Sequence, residues 1–86
     1  MAVLAVSVVS ADQEIWSGEA TQLIARTTEG EIGIFPGHEP LLAILAKGEV
    51  RVTTAEGKNV TATADNGFLS VENNTVTVVA STAELV

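Results

Sequence analysis

The chain has 86 residues, 47% of them apolar, and its 11 acidic against 4 basic side chains give a net charge of −7. This length allows one domain, residues 1–86, with a thin core, and the excess of carboxylates excludes a nucleic-acid-binding surface and favours a protein partner rich in Lys and Arg. Cysteine is absent, which excludes disulfides, thiolate metal sites and thiol nucleophiles.

The first predicted element is the apolar run from Ala2 to Val9. Period-two patterning over residues 3–9 predicts a β-strand. No Lys or Arg precedes the run, so a secretory signal is not expected. Ser7, Ser10 and Asp12 interrupt it, so it is shorter than the roughly 20 apolar residues that a membrane span requires. We therefore expect a strand of a soluble domain.

The segment from Gly30 to Leu42 differs most from the rest of the chain. It contains three of the seven glycines, both prolines and the only histidine, His38, a composition that predicts an irregular loop with a binding function. His38 has two interpretations: a turn histidine that bonds backbone carbonyls, or a contact to another subunit. Residues 41–45 have an apolar spacing that also suits a helix, but Pro40 and Gly48 leave room for only two turns, so an extended conformation is predicted.

Further strands are predicted in the second half of the chain, at residues 49–54, 59–65 and 75–81, where apolar and polar residues alternate. Val50 and Val52 are predicted to point away from the face that carries Arg51. Residues 76–80 are apolar except for Thr77, which indicates either a central strand or a strand that meets a partner. Turns are predicted at Ser17-Gly18, Glu29-Gly30, Glu56-Gly57, Asp65-Asn66-Gly67 and Asn73-Asn74. Short strands separated by such turns favour an all-β sandwich or barrel.

Motifs for catalysis, metals or nucleotides are missing from the sequence. His38 has no nucleophile elbow near it, and a single histidine without cysteine is too few ligands for zinc. The alternating oxygen ligands of an EF-hand and the Gly-rich phosphate-binding patterns do not occur. We therefore expect no enzyme, no metal and no cofactor.

Four motifs, in order along the chain, carry a family resemblance. They are residues 8–12 with 15–18, the segment Gly30-Glu31-x-Gly33-Ile34-x-Pro36-Gly37-His38-x-Pro40-Leu41-Leu42, Leu45 with Gly48 and a Val-x-Val strand, and residues 66–71, in which Asn66 replaces the usual first glycine. Together they resemble the N-terminal β-sandwich domain of the epsilon subunit of the F1 sector of bacterial ATP synthase, called delta in mitochondria. The resemblance covers essentially the whole chain.

The resemblance implies a flattened two-sheet β-sandwich of about ten short strands. It also implies a non-catalytic rotor subunit that binds the gamma subunit and the c-ring at the cytoplasmic face of the bacterial cell membrane and couples proton flow to ATP synthesis. Ser10 and His38 would lie toward gamma, and Glu31 toward the ring. The implied interface residues are Ser10, Glu29, Glu31, Phe35, Pro36, His38, Pro40 and Leu42.

Two further expectations concern what the chain does not do and what else it could be. Family members usually continue into a two-helix hairpin that restrains ATP hydrolysis and in some members binds ATP, whereas this chain ends at Val86. We therefore expect neither hairpin-based inhibition nor nucleotide binding. The alternative function is a generic β-sandwich recognition module that uses residues 29–42 against an unrelated partner.

Overall fold

The computed structural model describes residues 2–11 and 13–86, so Asp12 of the first motif lies outside the described residues. The regular elements of the described residues are six β-strands, and no helix among them is long and apolar enough to cross a membrane. The strands are β1 (Leu4–Ser10), β2 (Gln13–Thr27), β3 (Gly30–Ile34), β4 (Leu41–Thr54), β5 (Asn59–Glu72) and β6 (Thr75–Leu85). The all-β prediction is confirmed.

The strands form one continuous sheet that closes on itself. Their order is β1-β6-β5-β4-β2-β3, and β1 also pairs with β2, so five strands make a barrel and β3 is attached outside the ring, beside β2. All neighbours are antiparallel except β1 and β6, which run parallel. Closure satisfies the backbone groups that an open sheet would leave at its two edges.

Local irregularities bend the long strands around this small barrel. The β1–β2 register shifts between Val8 and Val9, and the β2–β4 register shifts on either side of the Gln22–Ala25 pairing. Bulges of this kind increase strand twist and turn a strand from one side of a barrel to the other. A single long strand therefore contributes to two sides of the barrel.

Alternating side chains fill the barrel. Val50 and Val52 are buried and Arg51 is exposed, as the period-two pattern predicts. β6 lies between β1 and β5, as a central strand would, while Val79 on its outer face is half-buried, so contact of this strand with a partner stays a prediction. The largest fully buried side chains are Leu4, Leu23, Ile34, Leu69, Val6, Val8, Val50, Val71, Val76 and Val78.

Three predictions differ from the structure. The ten short strands in two sheets are replaced by six strands in one closed sheet, because β2, β4, β5 and β6 bend where breaks were expected. Ser17-Gly18 and Asp65-Asn66-Gly67 therefore lie within β2 and β5 and make no turns. The segment Gly30–Leu42 is irregular only at residues 35–40, since its first five residues form β3 and its last two begin β4.

Other local predictions are confirmed. Residues 41–45 are extended and form the start of β4. Asn73 and Asn74 occupy the two central positions of the β5–β6 hairpin with φ of 50° and 60°, the left-handed conformation that asparagine tolerates. Asn66, which replaces the family's glycine, also has a positive φ, 57°.

Candidate functional site

Residues 35–40 connect β3 to β4 through a tight turn. Pro36 is at the second position of the turn, and Gly37 follows with φ of 88°. The N–H of His38 donates to the carbonyl oxygen of Phe35 at 3.1 Å. A proline followed by a positive-φ glycine, closed by this bond, defines a type II turn. The N–H of Gly37 donates to Oδ1 of Asn74 at 2.7 Å, which joins the turn to the β5–β6 hairpin.

The His38 side chain is half-buried, and its ring bonds locally. Nδ1 lies 2.7 Å from the carbonyl oxygen of Glu39. Because a carbonyl oxygen only accepts, Nδ1 carries a proton and donates in this contact. The geometry is that of a turn histidine that satisfies a backbone carbonyl, the first of its two interpretations. Contact with a second subunit through the other ring nitrogen stays a prediction.

An apolar row crosses the outer face of four strands. Ile44 on β4 is paired with Phe68 on β5, Phe68 with Val79 on β6, and Val79 with Val9 on β1. Ile44 is 59% exposed and Phe68 38%, while Val79 and Val9 are half-buried. Leu42, two residues before Ile44 on the same face of β4, is 69% exposed. We call these five residues the outer apolar row; contiguous exposed apolar surface of this kind marks interaction sites.

A groove lies beside this row, between the β2–β3 turn and the start of β4. The N–H of Thr28 donates to the carbonyl oxygen of Ile44 at 3.0 Å, which fixes the turn against the strand. Buried Thr27 holds the turn itself, since its hydroxyl donates to the Gly30 carbonyl at 2.7 Å and accepts from the Glu29 N–H at 3.2 Å. Glu29 and Leu42, both predicted interface residues, line this groove together.

Glu31 and Phe35 are exposed on and beside β3. The Glu31 carboxylate accepts from Nη2 of Arg51 at 3.0 Å, and both side chains are more than half exposed. Phe35 is 54% exposed and lies near Gly33, where an added Cβ would be 3.5 Å from its ring. The carboxylate that the resemblance directs toward the ring is therefore engaged with an arginine of its own chain.

The structure separates Ser10 from the 35–40 loop. The loop adjoins Asn74, whose carbonyl oxygen accepts from the N–H of Ala5 near the start of β1. Ser10 ends β1 and is five residues away from Ala5, which corresponds to about 17 Å of strand. Ser10 follows Val9, so the outer apolar row lies between the two predicted parts of the interface. Pro40 is exposed and borders a shallow depression with Leu42, and Pro36 is half-buried in the turn.

Sequence reasoning missed Ile44, Phe68, Val79 and Val9 as site residues. The signal was present as consecutive apolar residues at 41–45 and 78–80, which fill both faces of a strand. Their alignment into one row depends on the pairing of β4, β5, β6 and β1, which no local pattern specifies. Within residues 2–11 and 13–86, no group of three or more His, Cys, Asp or Glu side chains could hold a metal ion.

A closed β-barrel with an apolar row on its outer face defines a small all-β domain suited to contact with other proteins. Residues 3–86 match the model of the ATP synthase delta/epsilon chain beta-sandwich domain. The chain belongs to this family, which confirms the resemblance found in the sequence. The relatives that support this assignment are named ATP synthase epsilon chains.

Named relatives and solved structures agree with this assignment. The chain is 52% identical to the ATP synthase epsilon chain of Micrococcus luteus over 85 residues, which cover 99% of this chain and 93% of that relative. It is 49% identical to the Streptomyces coelicolor epsilon chain over 82 residues, 95% of this chain but 66% of the relative, so it spans just under two thirds of that protein's length. A chain of the Euglena gracilis mitochondrial ATP synthase, solved as OSCP/F1/c-ring, superimposes with a TM-score of 0.92 at 26% identity, over 99% of this chain and 54% of that one. A chain of the Tetrahymena thermophila mitochondrial ATP synthase, with a TM-score of 0.76 at 15% identity over 93% of this chain and 64% of that one, shares the fold.

Proposed function

We propose that the chain, as one domain over residues 1–86, is a non-catalytic rotor subunit of a bacterial F1Fo ATP synthase. It binds the gamma subunit and the c-ring, and it couples proton flow through the ring to ATP synthesis. The complex is peripheral at the cytoplasmic face of the cell membrane. Family membership supports this function, as does the 26% identical chain in an F1/c-ring assembly. The outer apolar row is the observation that carries it.

The outer apolar row supplies the affinity of the proposed contact. Large apolar side chains that are exposed in the free domain, such as Leu42 and Ile44, favour association when a partner removes them from water. Glu14, paired with Val9, and Glu72, on the same face of β5 as Phe68, place exposed carboxylates beside the row. The net charge of −7 adds to the negative electrostatic potential of these carboxylates. An apolar partner surface with basic residues at its margin matches both features.

The closed sheet suits a subunit that transmits torque. Each barrel strand is hydrogen-bonded on both sides over part of its length, so shearing one strand past another breaks bonds to two neighbours. The β2–β3 turn and the 35–40 loop are each tied to another element, at Ile44 and Asn74. A surface built this way turns with its partner rather than deforming under load.

The contact surface, in this proposal, runs from Ser10 across the outer apolar row to the 35–40 loop. Ser10, His38 and Leu42 face gamma, and Glu29 and Glu31 lie toward the ring loops. Phe35, Pro36 and Pro40 complete the loop side of the contact. The exposure of Phe35, Pro40 and Leu42 supports this arrangement, since exposed side chains are available to a partner.

The test is binding of the chain to a gamma–c-ring subassembly purified from the source membranes. The doubly changed variant His38→Ala, Glu31→Ala should bind about tenfold more weakly. Its melting temperature should change by no more than about 2 °C, because Glu31 is exposed and the His38 ring bonds only the carbonyl of its chain neighbour Glu39. Glu56→Ala is the control, since Glu56 is an exposed carboxylate in the turn at the opposite end of β4. A large drop in melting temperature with unaltered binding would make the loop structural. If the wild-type chain does not bind gamma and binds an unrelated protein instead, the result would favour the alternative function, a generic recognition module.

A further inference from the structure

Asn74 lies where three parts of the structure meet. Its backbone has φ of 60° at the second central position of the β5–β6 hairpin. Its carbonyl oxygen accepts from the N–H of Ala5 at 2.8 Å, which ties the start of β1 to the hairpin. Its side-chain Oδ1 accepts from the N–H of Gly37 at 2.7 Å. The hairpin conformation and the bond from Ala5 belong to the barrel, whereas the bond from Gly37 belongs to the loop.

The bond from the Gly37 N–H to Oδ1 of Asn74 fixes the orientation of one peptide group. Type I and type II turns have nearly the same end-to-end geometry and differ by a flip of the peptide between their two central residues. In the turn that spans Phe35–His38, that peptide joins Pro36 to Gly37, and its N–H is the group that Asn74 accepts. A flip to type I would turn this N–H away from Oδ1 and leave the amide acceptor without the contact.

The turn's own residues permit both types, and the Pro36-Gly37 pair is one that type II commonly carries. Proline is favoured at the second position of both, because φ near −65° suits each. Glycine at the third position adopts positive or negative φ at similar cost. The closing bond from the His38 N–H to the Phe35 carbonyl is compatible with both types as well. A group outside the turn can therefore add to the preference of this pair for type II.

We propose that Asn74 is a positioning residue that holds the Phe35–His38 turn in its type II form and thereby sets the direction in which His38 and Phe35 are presented to a partner. The second half of this proposal rests on the function proposed above. Asn73 provides the comparison, since it has a similar φ of 50° in the same hairpin. Its side chain makes no hydrogen bond to another described residue, whereas that of Asn74 does.

The experiment uses four variants of the full chain: Asn74→Gly, Asn74→Asp, Asn73→Gly and Asn73→Asp. Glycine keeps the left-handed hairpin position and removes the acceptor, whereas aspartate keeps an Oδ acceptor. The two changes at position 73 control for altered hairpin propensity and added charge. Three quantities are measured: hydrogen exchange of the Gly37 amide by NMR, the melting temperature, and affinity for the gamma–c-ring subassembly.

Asn74→Gly is expected to speed Gly37 amide exchange by roughly threefold to tenfold, the loss of one modest hydrogen bond. It should also lower affinity by a similar factor, with a melting temperature like that of Asn73→Gly. Asn74→Asp should restore slow exchange, and its affinity should equal that of Asn73→Asp. Unchanged Gly37 exchange in Asn74→Gly would overturn the proposal, as would equal effects at positions 73 and 74. Failure of the wild-type chain to bind gamma would instead overturn the proposed function. The Gly37 exchange rates would still test whether Asn74 holds the turn in its type II form.

Discussion

Ile44 on β4 and Phe68 on β5 are directly opposed partners whose side chains both point away from the barrel, 59% and 38% exposed. An aromatic–aliphatic pair across two strands contributes only about 0.2–1 kcal/mol to the sheet itself. Full burial of such side chains gives roughly 1.5–3 kcal/mol each, so burial of the fraction that is still exposed gives about 0.5–2 kcal/mol each. The pair is therefore worth more to an interface than to the fold.

Replacing either residue with threonine should separate binding from stability. Ile44→Thr and Phe68→Thr are each expected to weaken binding to the gamma–c-ring subassembly by about tenfold or more. The free energy of unfolding should fall by less than about 1 kcal/mol in Ile44→Thr, because threonine keeps a strong β preference, and by about 1–2 kcal/mol in Phe68→Thr, because Phe68 is the more buried of the two. Leu85→Thr is the control, since Leu85 is 48% exposed near the end of β6. Unchanged affinity in both test variants would contradict an interface at the outer apolar row.

Two leucines on opposite faces provide a second test. Leu23 on β2 is fully buried, and Leu42 on β4 is 69% exposed. Leu23→Ala should lower the free energy of unfolding by about 2–5 kcal/mol, through lost burial and a cavity. Leu42→Ala should lower it by less than about 0.5 kcal/mol but weaken binding. Urea unfolding measures the free energy of unfolding of both variants. Equal destabilisation by the two changes would show that the two leucines do not lie on opposite faces.

The Glu31–Arg51 ion pair is expected to contribute little to stability. Its atoms are 3.0 Å apart, but the side chains are 51% and 60% exposed, so solvent screens the attraction. A double-mutant cycle with Glu31→Gln and Arg51→Gln should give a coupling energy below about 1 kcal/mol that disappears in 1 M salt. A larger coupling that survives salt would mean that the pair is shielded from solvent.

The same variants test the proposed role of Glu31 at the ring. Arg51→Gln leaves the Glu31 carboxylate without its intramolecular partner, so binding to a basic surface should strengthen at low salt. Glu31→Gln should weaken that binding, and it should weaken it less as salt rises. Affinities of both variants that equal the wild-type value at every salt concentration would remove Glu31 from the contact.

The strands and the hairpin could be predicted because their signals are local. Alternation at Val50, Arg51 and Val52 reports one buried face, and Asn73-Asn74 matches the backbone of a two-residue turn. Gly67 carried an equally strong turn signal but lies in the middle of β5. A local pattern cannot distinguish a glycine needed for φ from a glycine needed because another backbone passes close to it.

The site was only partly predictable, because its residues come from four strands. Leu42 was identified from its place in the family motif, but Val9, Phe68 and Val79 join it only through the register of neighbouring strands. The parallel pairing of β1 with β6 links residues about 70 positions apart, and no turn chemistry specifies such a pairing. The structure has six long strands in place of the ten short ones expected, because strands bend where breaks were predicted, and these bends likewise depend on the closed barrel.

Close approach of backbones at Gly67 gives the sharpest stability prediction. A Cβ on Gly67 would overlap the carbonyl oxygen of Val79 and lie 2.6 Å from Cα of Ala80, so β5 and β6 would have to move apart. Gly67→Ala should therefore cost roughly 3 kcal/mol or more, because backbone on the neighbouring strand cannot shift like a flexible side chain. For a domain of this size the melting temperature should fall by more than about 12 °C.

Gly33→Ala is the matched control, since the same change on β3 places a Cβ 3.5 Å from the Phe35 ring, an ordinary contact. It should leave the melting temperature within about 3 °C of the wild-type value, as should Asn66→Gly, which restores the family's usual residue at a position with φ of 57°. Thermal unfolding followed by circular dichroism compares the three variants. If Gly67→Ala has the same melting temperature as Gly33→Ala, the two strands are not as close at this point as their register requires. If Gly67→Ala alone is destabilised, Gly67 is required for packing, whereas position 66 requires only a residue that tolerates positive φ.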